Sequence, residues 1–128
     1  MTGKVVHFEI PAKDVKKTSA FYKDVFGWWT MDMQGMDYMM LGGTKTDDKG
    51  MIAESGSING GMMKRQKPFE GPIITIGVDD IDASLKAVEK KGGKVLQKKR
   101  DIGQNMGFTA YFTDPDGNVM GLYQAGKM

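Results

Sequence analysis

The sequence predicts an α+β fold in which a β-α-β-β-β unit occurs twice. The order of strand and helix patterns in the first half of the chain recurs in the second half, and the two strand–helix segments align without a gap. Asp14 and Gly27 correspond to Asp80 and Gly93, each 66 positions later. Self-similarity over a whole supersecondary unit is the signature of a repeated structure, so this repeat is the main constraint on the fold.

The first half begins with Lys4 to Ile10, a short β-branched and aromatic segment that is typical of a strand. Asp14 is a suitable helix N-cap, and apolar residues then recur at spacings of three and four up to Gly27, which ends the helix. Three further strands are predicted, at Trp28 to Gln34, Asp37 to Leu41 and Ser57 to Met63. Residues 42–56 have the composition of a loop.

The second half repeats this order. A strand is predicted at Pro72 to Val78, Asp80 is a second N-cap, and Gly92-Gly93 end the second helix. The remaining strands are predicted at Lys94 to Lys99, Gly107 to Thr113 and Asn118 to Tyr123. Asp114-Pro115-Asp116-Gly117 has Pro and Gly where a type I turn favours them.

The last strands of the two halves also correspond, at a different offset, with Gly60 aligned to Gly121, 61 positions later. We expect a single domain at 1–128, with module one at 1–63, a linker at 64–71 and module two at 72–128. The alternatives are two unrelated αβ halves with chance similarity, or a ferredoxin-like α/β sandwich.

The composition excludes several function classes. The net charge is +2, which gives no electrostatic basis for binding nucleic acid or an anionic membrane. Cysteine is absent, so disulfides, thiolate metal ligands and a cysteine nucleophile are excluded. No apolar segment approaches the roughly 18–20 residues that span a bilayer, and the N-terminus lacks a signal-peptide pattern. We therefore expect a cytoplasmic protein.

Methionine is abundant, at 12 of 128 residues. Several methionines cluster, at Met31, Met33, Met36, Met39 and Met40. Thioether side chains fill irregular gaps in a core, and they also repack around ligands of varied shape. We expect mainly core packing, with a smaller contribution to a pliable apolar ligand pocket. Tyr38 and Met40 share one face of the third strand and are placed to flank such a pocket.

Several motifs, in this order and spacing, resemble the vicinal oxygen chelate superfamily of glyoxalases, bleomycin resistance proteins and dioxygenases. They are His7-Phe8-Glu9-Ile10-Pro11-Ala12, Phe21-Tyr22, Val25-Phe26-Gly27-Trp28, Gly60-Gly61-Met62-Met63, Val78-Asp79-Asp80-Ile81-Asp82 and Asp114-Pro115-Asp116-Gly117-Asn118. The most similar subgroup contains predicted enzymes related to lactoylglutathione lyase. The resemblance implies two modules whose curved mixed β-sheets enclose a cleft, and a homodimer.

In metal-dependent members of this superfamily, the first and last strands of each module supply His or Glu ligands to a divalent metal. Carried over to this chain, the four positions fall on His7, Gly60, Ile73 and Gly121. Only His7 can bind a metal, whereas catalytic sites usually need three protein ligands. We therefore expect no metal and no other cofactor. Glu9 and Glu54 are the replacement ligands to consider, and Gln124 is a poorer one.

The resemblance implies that a small organic molecule binds in the cleft between the modules. His7 and Glu9, two residues apart on one strand, are the candidate catalytic residues, with His7 as hydrogen-bond partner or general base. The candidate substrate-binding residues are Trp28, Met62, Thr75, Tyr111 and Tyr123. Strand alternation predicts that the cleft face carries His7 and Glu9, Gly60 and Met62, Ile73 and Thr75, and Gly121 and Tyr123.

Two other functions remain open at this point. One is a metal-dependent isomerase or lyase similar to lactoylglutathione lyase, or a dioxygenase, using His7 and a replacement carboxylate. The other is a structural or regulatory dimer module with a vestigial cleft. No phosphate-binding loop and no catalytic-triad pattern indicates a different chemistry.

Overall fold

The computed structural model describes residues 3–35, 37–44, 46 and 56–126. The chain forms two compact units, one comprising His7–Pro72 and the other Met1–Val6 with Ile73–Met128. Each unit contains one α-helix and a mixed β-sheet, as the repeated β-α-β-β-β pattern predicts. Neither helix in the described ranges has the length and apolarity that a bilayer crossing requires.

The elements of the first half are β1 (Lys4–Ala12), α1 (Val15–Phe26), β2 (Trp29–Met33), β3 (Tyr38–Gly42) and β4 (Gly60–Lys64). Their strands pair in the order β2-β3-β4-β1. The pairing of β1 with β4 is parallel, and the other two pairings are antiparallel. The first and last strands of this half are therefore neighbours, although the helix and two strands separate them in the chain.

Helix α1 begins and ends as the sequence predicts. The Asp14 carboxylate accepts a hydrogen bond from the Lys17 amide at 3.0 Å, which satisfies one of the otherwise unpaired amides of the first turn. Gly27 adopts a left-handed conformation, with φ of 72°, and its amide donates to the Lys23 carbonyl. Glycine adopts this conformation without steric cost, which explains why the helix ends there.

One side of the first sheet packs against α1. Its buried core consists of Ala12, Leu41 and Met62, and partly buried apolar side chains including Phe8 and Ile10 pack against them. All of these strand residues point toward the helix. The alternating side chains between them therefore lie on the opposite face of the sheet.

The elements of the second half are β5 (Ile73–Gly77), α2 (Ile81–Lys90), β6 (Lys94–Asp101), β7 (Phe108–Thr113) and β8 (Val119–Gln124). Their order, β5-β8-β7-β6, and the parallel pairing of β5 with β8 reproduce the first half. Asp80 caps α2 by accepting from the Ala83 amide at 3.1 Å, as predicted. Five buried residues form the core under this helix, namely Ile81, Leu85, Ala110, Phe112 and Leu122.

Strand β4 starts three residues later than the predicted start at Ser57. The reason lies in Asn59, whose side chain pairs with the backbone of Thr44. Its Oδ1 accepts from the Thr44 amide and its Nδ2 donates to the Thr44 carbonyl, both at 3.1 Å. The strand ladder is replaced at this point by a side-chain contact. Most of the predicted 42–56 loop lies outside the described residues.

Candidate functional site

His7 and Glu9 lie on the face of the first sheet that points away from α1, because their neighbours Phe8 and Ile10 pack toward the helix. The strand registers extend this face across all four strands, since directly paired residues share a side. It includes His7, Glu9, Trp29, Met31, Met33, Tyr38, Met40, Gly61 and Met63. We call this surface the His7 face.

A chain of hydrogen bonds joins three side chains of the His7 face. The Tyr38 hydroxyl donates to Glu9 Oε2 at 2.7 Å, and His7 Nε2 lies 2.9 Å from the same hydroxyl oxygen. A phenol has only one proton to donate. Since that proton goes to Glu9, the Tyr38 oxygen accepts from His7, and the neutral imidazole carries its hydrogen on Nε2. This tautomer follows from the hydrogen-bond network.

The other ring nitrogen, His7 Nδ1, is then the basic one. Within the described ranges, the hydrogen bond to Tyr38 is the one hydrogen bond that His7 makes. The lone pair of Nδ1 is therefore available to accept a proton or a hydrogen bond from a ligand. The sequence identified His7 and Glu9 as partners but missed that Tyr38 connects them. Alternation along β3 was the one sequence signal that placed Tyr38 nearby.

Burial and the charge of Glu9 shift the pKa of His7 in opposite directions. Desolvation lowers the pKa of His7 below its ordinary value of 6.5, because burial disfavours the charged imidazolium. The nearby Glu9 carboxylate raises the pKa of His7 and offsets part of that effect. Glu9 is itself buried, at 6% exposure. His7 is consequently neutral at pH 7 and able to act as a base.

Gly61 leaves room for Tyr38. A Cβ atom built on Gly61 would coincide with the ring and hydroxyl of Tyr38. The tyrosine thus occupies the space that any side chain at position 61 would need. This position is the last-strand partner of Glu9 in the parallel register between β1 and β4.

The expected position of Gly60 on the same face as Glu9 is therefore wrong. Gly60 pairs with Phe8, and a Cβ atom on Gly60 would meet the Phe8 side chain on the helix side. In the second half, Thr75 pairs with Gly121. The structurally equivalent glycines are Gly61 and Gly121, which are 60 positions apart rather than the predicted 61. A slip of one residue reverses the face of every side chain in a strand.

Two of the predicted substrate-binding residues lie on the helix side of the first sheet. Met62 is completely buried in the core under α1, so its expected position beside Glu9 is wrong. Trp28 also packs there, with its ring stacked on Tyr22 at 4.8 Å between centroids. The pairing of β2 with β3 places the next residue, Trp29, on the His7 face instead. Its Nε1 donates to the Thr44 carbonyl at 2.7 Å.

The remaining predicted residues share one face of the second sheet. Thr75, Tyr111 and Tyr123 point away from α2, together with Ile73 and Gly121. The Tyr123 hydroxyl donates to the Met106 carbonyl at 2.6 Å, and burial raises the pKa of Tyr123. The predicted grouping of Ile73, Thr75, Gly121 and Tyr123 on one face agrees with the strand registers, and Tyr111 joins them through its pairing with Gly121. Contact of these residues with a substrate stays a prediction.

These residues do not fit a divalent metal. With the corrected register, the four family positions are His7, Gly61, Ile73 and Gly121, and three of them lack a ligand atom. Tyr38 fills the space beside Gly61 and engages His7 Nε2. Within the described residues, no three His, Asp or Glu side chains are grouped closely enough to hold an ion.

Of the other proposed replacement ligands, Gln124 is already engaged in a hydrogen bond. Gln124 Oε1 accepts from the Ile81 amide at 2.9 Å, so this side chain serves the start of α2. The proposed ligand Glu54 lies outside the described residues.

Comparisons with known proteins agree with this architecture. A putative glyoxylase of Mycobacterium bovis is 30% identical over 128 residues, covering 93% of this chain, and the chain spans 44% of that protein. A glyoxylase-like domain-containing protein of Didymella fabae is 31% identical over 124 residues, which cover 91% of this chain and 90% of that protein.

Among solved structures, a variant of Streptomyces coelicolor methylmalonyl-CoA epimerase in complex with 2-nitronate-propionyl-CoA superposes with a TM-score of 0.66. It is 19% identical, and the superposition covers 99% of this chain and 100% of the epimerase chain. This likeness confirms the predicted fold class. The profile of the Glyoxalase/Bleomycin resistance protein/Dioxygenase superfamily matches residues 4–122, and the chain belongs to that superfamily.

Proposed function

We propose that this protein binds a small organic molecule on the His7 face, with His7 as its hydrogen-bond partner or general base and without a divalent metal. The observation that carries the proposal is the hydrogen-bonded chain from His7 through Tyr38 to Glu9. It fixes the imidazole in one tautomer and directs Nδ1 away from the internal partner. A base that is held in one tautomer requires little reorganisation when the ligand binds.

The same chain supports proton transfer. When Nδ1 takes a proton from the ligand, the imidazole becomes cationic and still donates its Nε2 hydrogen to Tyr38. The buried Glu9 carboxylate stabilises that cation, because charges interact more strongly away from water. The proton resides on His7 and returns from there to the ligand or to solvent. Tyr38 acts as a positioning residue in this scheme, since it orients the imidazole.

The main alternative is a metal-dependent isomerase, lyase or dioxygenase. In such an enzyme, His7 would bind the metal either through Nδ1 or through Nε2, and Nε2 would first have to give up its hydrogen bond to Tyr38. The metal would also need further ligands, which Gly61, Ile73 and Gly121 do not provide. The donor set thus favours the metal-free proposal.

We also propose a homodimer. Phe21, Val25 and Phe26 of α1 are 54%, 56% and 63% exposed, and a second copy of the chain would cover such apolar surface. Sedimentation at several protein concentrations tests this assembly independently of ligand binding.

His7 is the only histidine of the chain, so its imidazole nitrogen resonances in nuclear magnetic resonance spectra report on this site alone. The test follows these resonances in EDTA-treated protein during titration with lactoylglutathione, methylmalonyl-CoA and 2-naphthol. We expect at least one compound to shift both nitrogen resonances.

The expected hydrogen bond to His7 contributes roughly tenfold in affinity. Calorimetry should therefore show that His7→Ala weakens binding of that compound by about that factor, whereas Leu96→Ser on β6 leaves its affinity unchanged. Equal affinity of the wild-type protein and His7→Ala would contradict the proposal.

A further inference from the structure

Four methionines surround Tyr38 on the His7 face. Met33 and Met63 are the direct cross-strand partners of Tyr38 on its two sides, and Met31 is the partner of Met40. Directly paired residues have Cβ atoms about 4.5–5.5 Å apart, so these side chains are in mutual reach. We call Met31, Met33, Met40 and Met63 the methionine patch.

The methionine patch is accessible at its outer end. Met31 is 56% exposed, and the other three are partly buried. The methionine side chain is unbranched and polarisable, so it adapts to a flat or irregular apolar surface and makes favourable contacts with aromatic rings. Trp29, on the same strand as Met31, adds an aromatic side chain to this surface. The patch is thus suited to the apolar part of a ligand rather than to its polar groups.

The charges of the His7 face restrict the ligand further. The described strand residues on this face of β1 to β4 include no lysine and no arginine from His7 onward. The charged group among them is the carboxylate of Glu9, which is buried. An anionic group brought to His7 would lose hydration and would meet no lysine or arginine among the described strand residues of this face. A neutral ligand avoids this cost.

We infer that the ligand class of this site is a neutral aromatic compound with one hydroxyl group, and this inference rests on the proposed function. The ring packs on the methionine patch, and the hydroxyl donates to His7 Nδ1. This hydroxyl satisfies the lone pair that the Tyr38 hydrogen bond leaves open. Anionic thioesters bind more weakly, because their carboxylates and phosphates have no basic partner among these strand residues.

The test compares three matched compounds, 2-naphthol, 2-methoxynaphthalene and 2-naphthoate, by titration while the His7 resonances are followed at about pH 7.5. The first is neutral with a hydroxyl, the second is neutral without a donor, and the third is an anion. We expect 2-naphthol to bind about tenfold more tightly than either of the others, which corresponds to one hydrogen bond or one uncompensated charge.

Two variants test the role of the methionine patch. Met31→Ser removes an apolar side chain from the patch, and Leu96→Ser removes one from β6. Both original side chains are exposed, at 56% and 40%, and Leu96 lies outside the His7 face and outside the proposed dimer surface. We expect Met31→Ser to weaken 2-naphthol binding several-fold, while Leu96→Ser leaves it unchanged. Equal effects of the two variants would overturn the role of the patch.

The outcomes separate this inference from the proposed function. If 2-naphthoate, lactoylglutathione or methylmalonyl-CoA shifts the His7 resonances at a lower concentration than 2-naphthol does, the inferred ligand class is wrong, and ligand binding at His7 stands. If none of the compounds shifts the His7 resonances, the proposed function and the inference are both overturned. Tighter binding of 2-naphthol together with loss in Met31→Ser supports the inference.

Discussion

The aromatic ring of Tyr38 lies beside the α-carbon of Gly61, in the space where a side chain at position 61 would begin. The same tyrosine donates to Glu9 and accepts from His7. The absence of a side chain at one position of β4 therefore permits the hydrogen-bonded chain on β1 and β3.

Gly61→Ala should destabilise the fold by about 1–3 kcal/mol, the typical cost of forcing an additional carbon into a packed site. It should also displace Tyr38 and shift the His7 resonances. Gly71→Ala is the matched control, because no heavy atom lies within 4 Å of a Cβ at that position. Urea denaturation gives the free energies of unfolding, and equal values for the two variants would contradict the packing of Tyr38 on Gly61.

Tyr38→Phe should cost about 1–3 kcal/mol of stability, because the buried Glu9 carboxylate loses a donor and His7 Nε2 loses its acceptor. Nitrogen chemical shifts should also show a mixture of the two imidazole tautomers. Tyr22→Phe is the control: its ring stacks on Trp28, and its hydroxyl makes no hydrogen bond to the described part of the chain. An unchanged tautomer in Tyr38→Phe would exclude the assigned network.

Stability should depend on pH through His7. Burial lowers the pKa of His7 in the folded protein below 6.5, so the unfolded chain binds more protons between the two pKa values. The free energy of unfolding therefore rises with pH across that window. The contribution of neutral His7 to the free energy of unfolding is complete above about pH 6.5, and it is lost as the pH falls toward the lower pKa of the folded state.

This pH dependence is measured by urea denaturation of the wild-type protein and His7→Gln from about pH 7.5 to about pH 5. The difference between the two proteins isolates His7 from the carboxylates that also titrate at low pH. The wild-type protein should lose more stability than His7→Gln as the pH falls. Parallel curves would show that burial of the imidazole has no energetic consequence.

Tyr123→Phe should weaken the segment before β7. The Tyr123 hydroxyl donates to the Met106 carbonyl, and the Met106 amide in turn donates to Gly103. Loss of this bond should cost about 1 kcal/mol and accelerate hydrogen exchange at the amides of Ile102 and Met106. In the wild-type protein, burial raises the pKa of Tyr123 above 10.0, so its phenol should stay protonated beyond that pH. Unchanged exchange at both amides would be inconsistent with this role.

Purified protein should contain much less than one divalent metal per chain, and titration with nickel, zinc, manganese or iron should not saturate a site at His7. The physical reason is the donor set, since Gly61, Ile73 and Gly121 occupy the remaining family positions. Elemental analysis and calorimetry measure both quantities. One tightly bound metal per chain that is lost in His7→Ala would overturn the metal-free proposal.

The sequence alone determined the architecture and the local ends of its elements. The repeat, the N-caps Asp14 and Asp80 and the helix-ending Gly27 were predicted and confirmed. Strand alternation also placed His7 and Glu9 together. These features depend on residues that are close in the chain, and periodicity and capping are local properties.

Only the tertiary structure decided which glycine lies beside Glu9 and what fills the space next to it. Alternation fixes which residues of one strand share a face, but it does not fix the register between β1 and β4, which the chain joins through a helix and two strands. The observed register places Gly61, not Gly60, opposite Glu9. A shift of one residue exchanges the two faces of a strand, so the positions of Met62 and Tyr38 followed from pairing geometry that the sequence pattern does not contain.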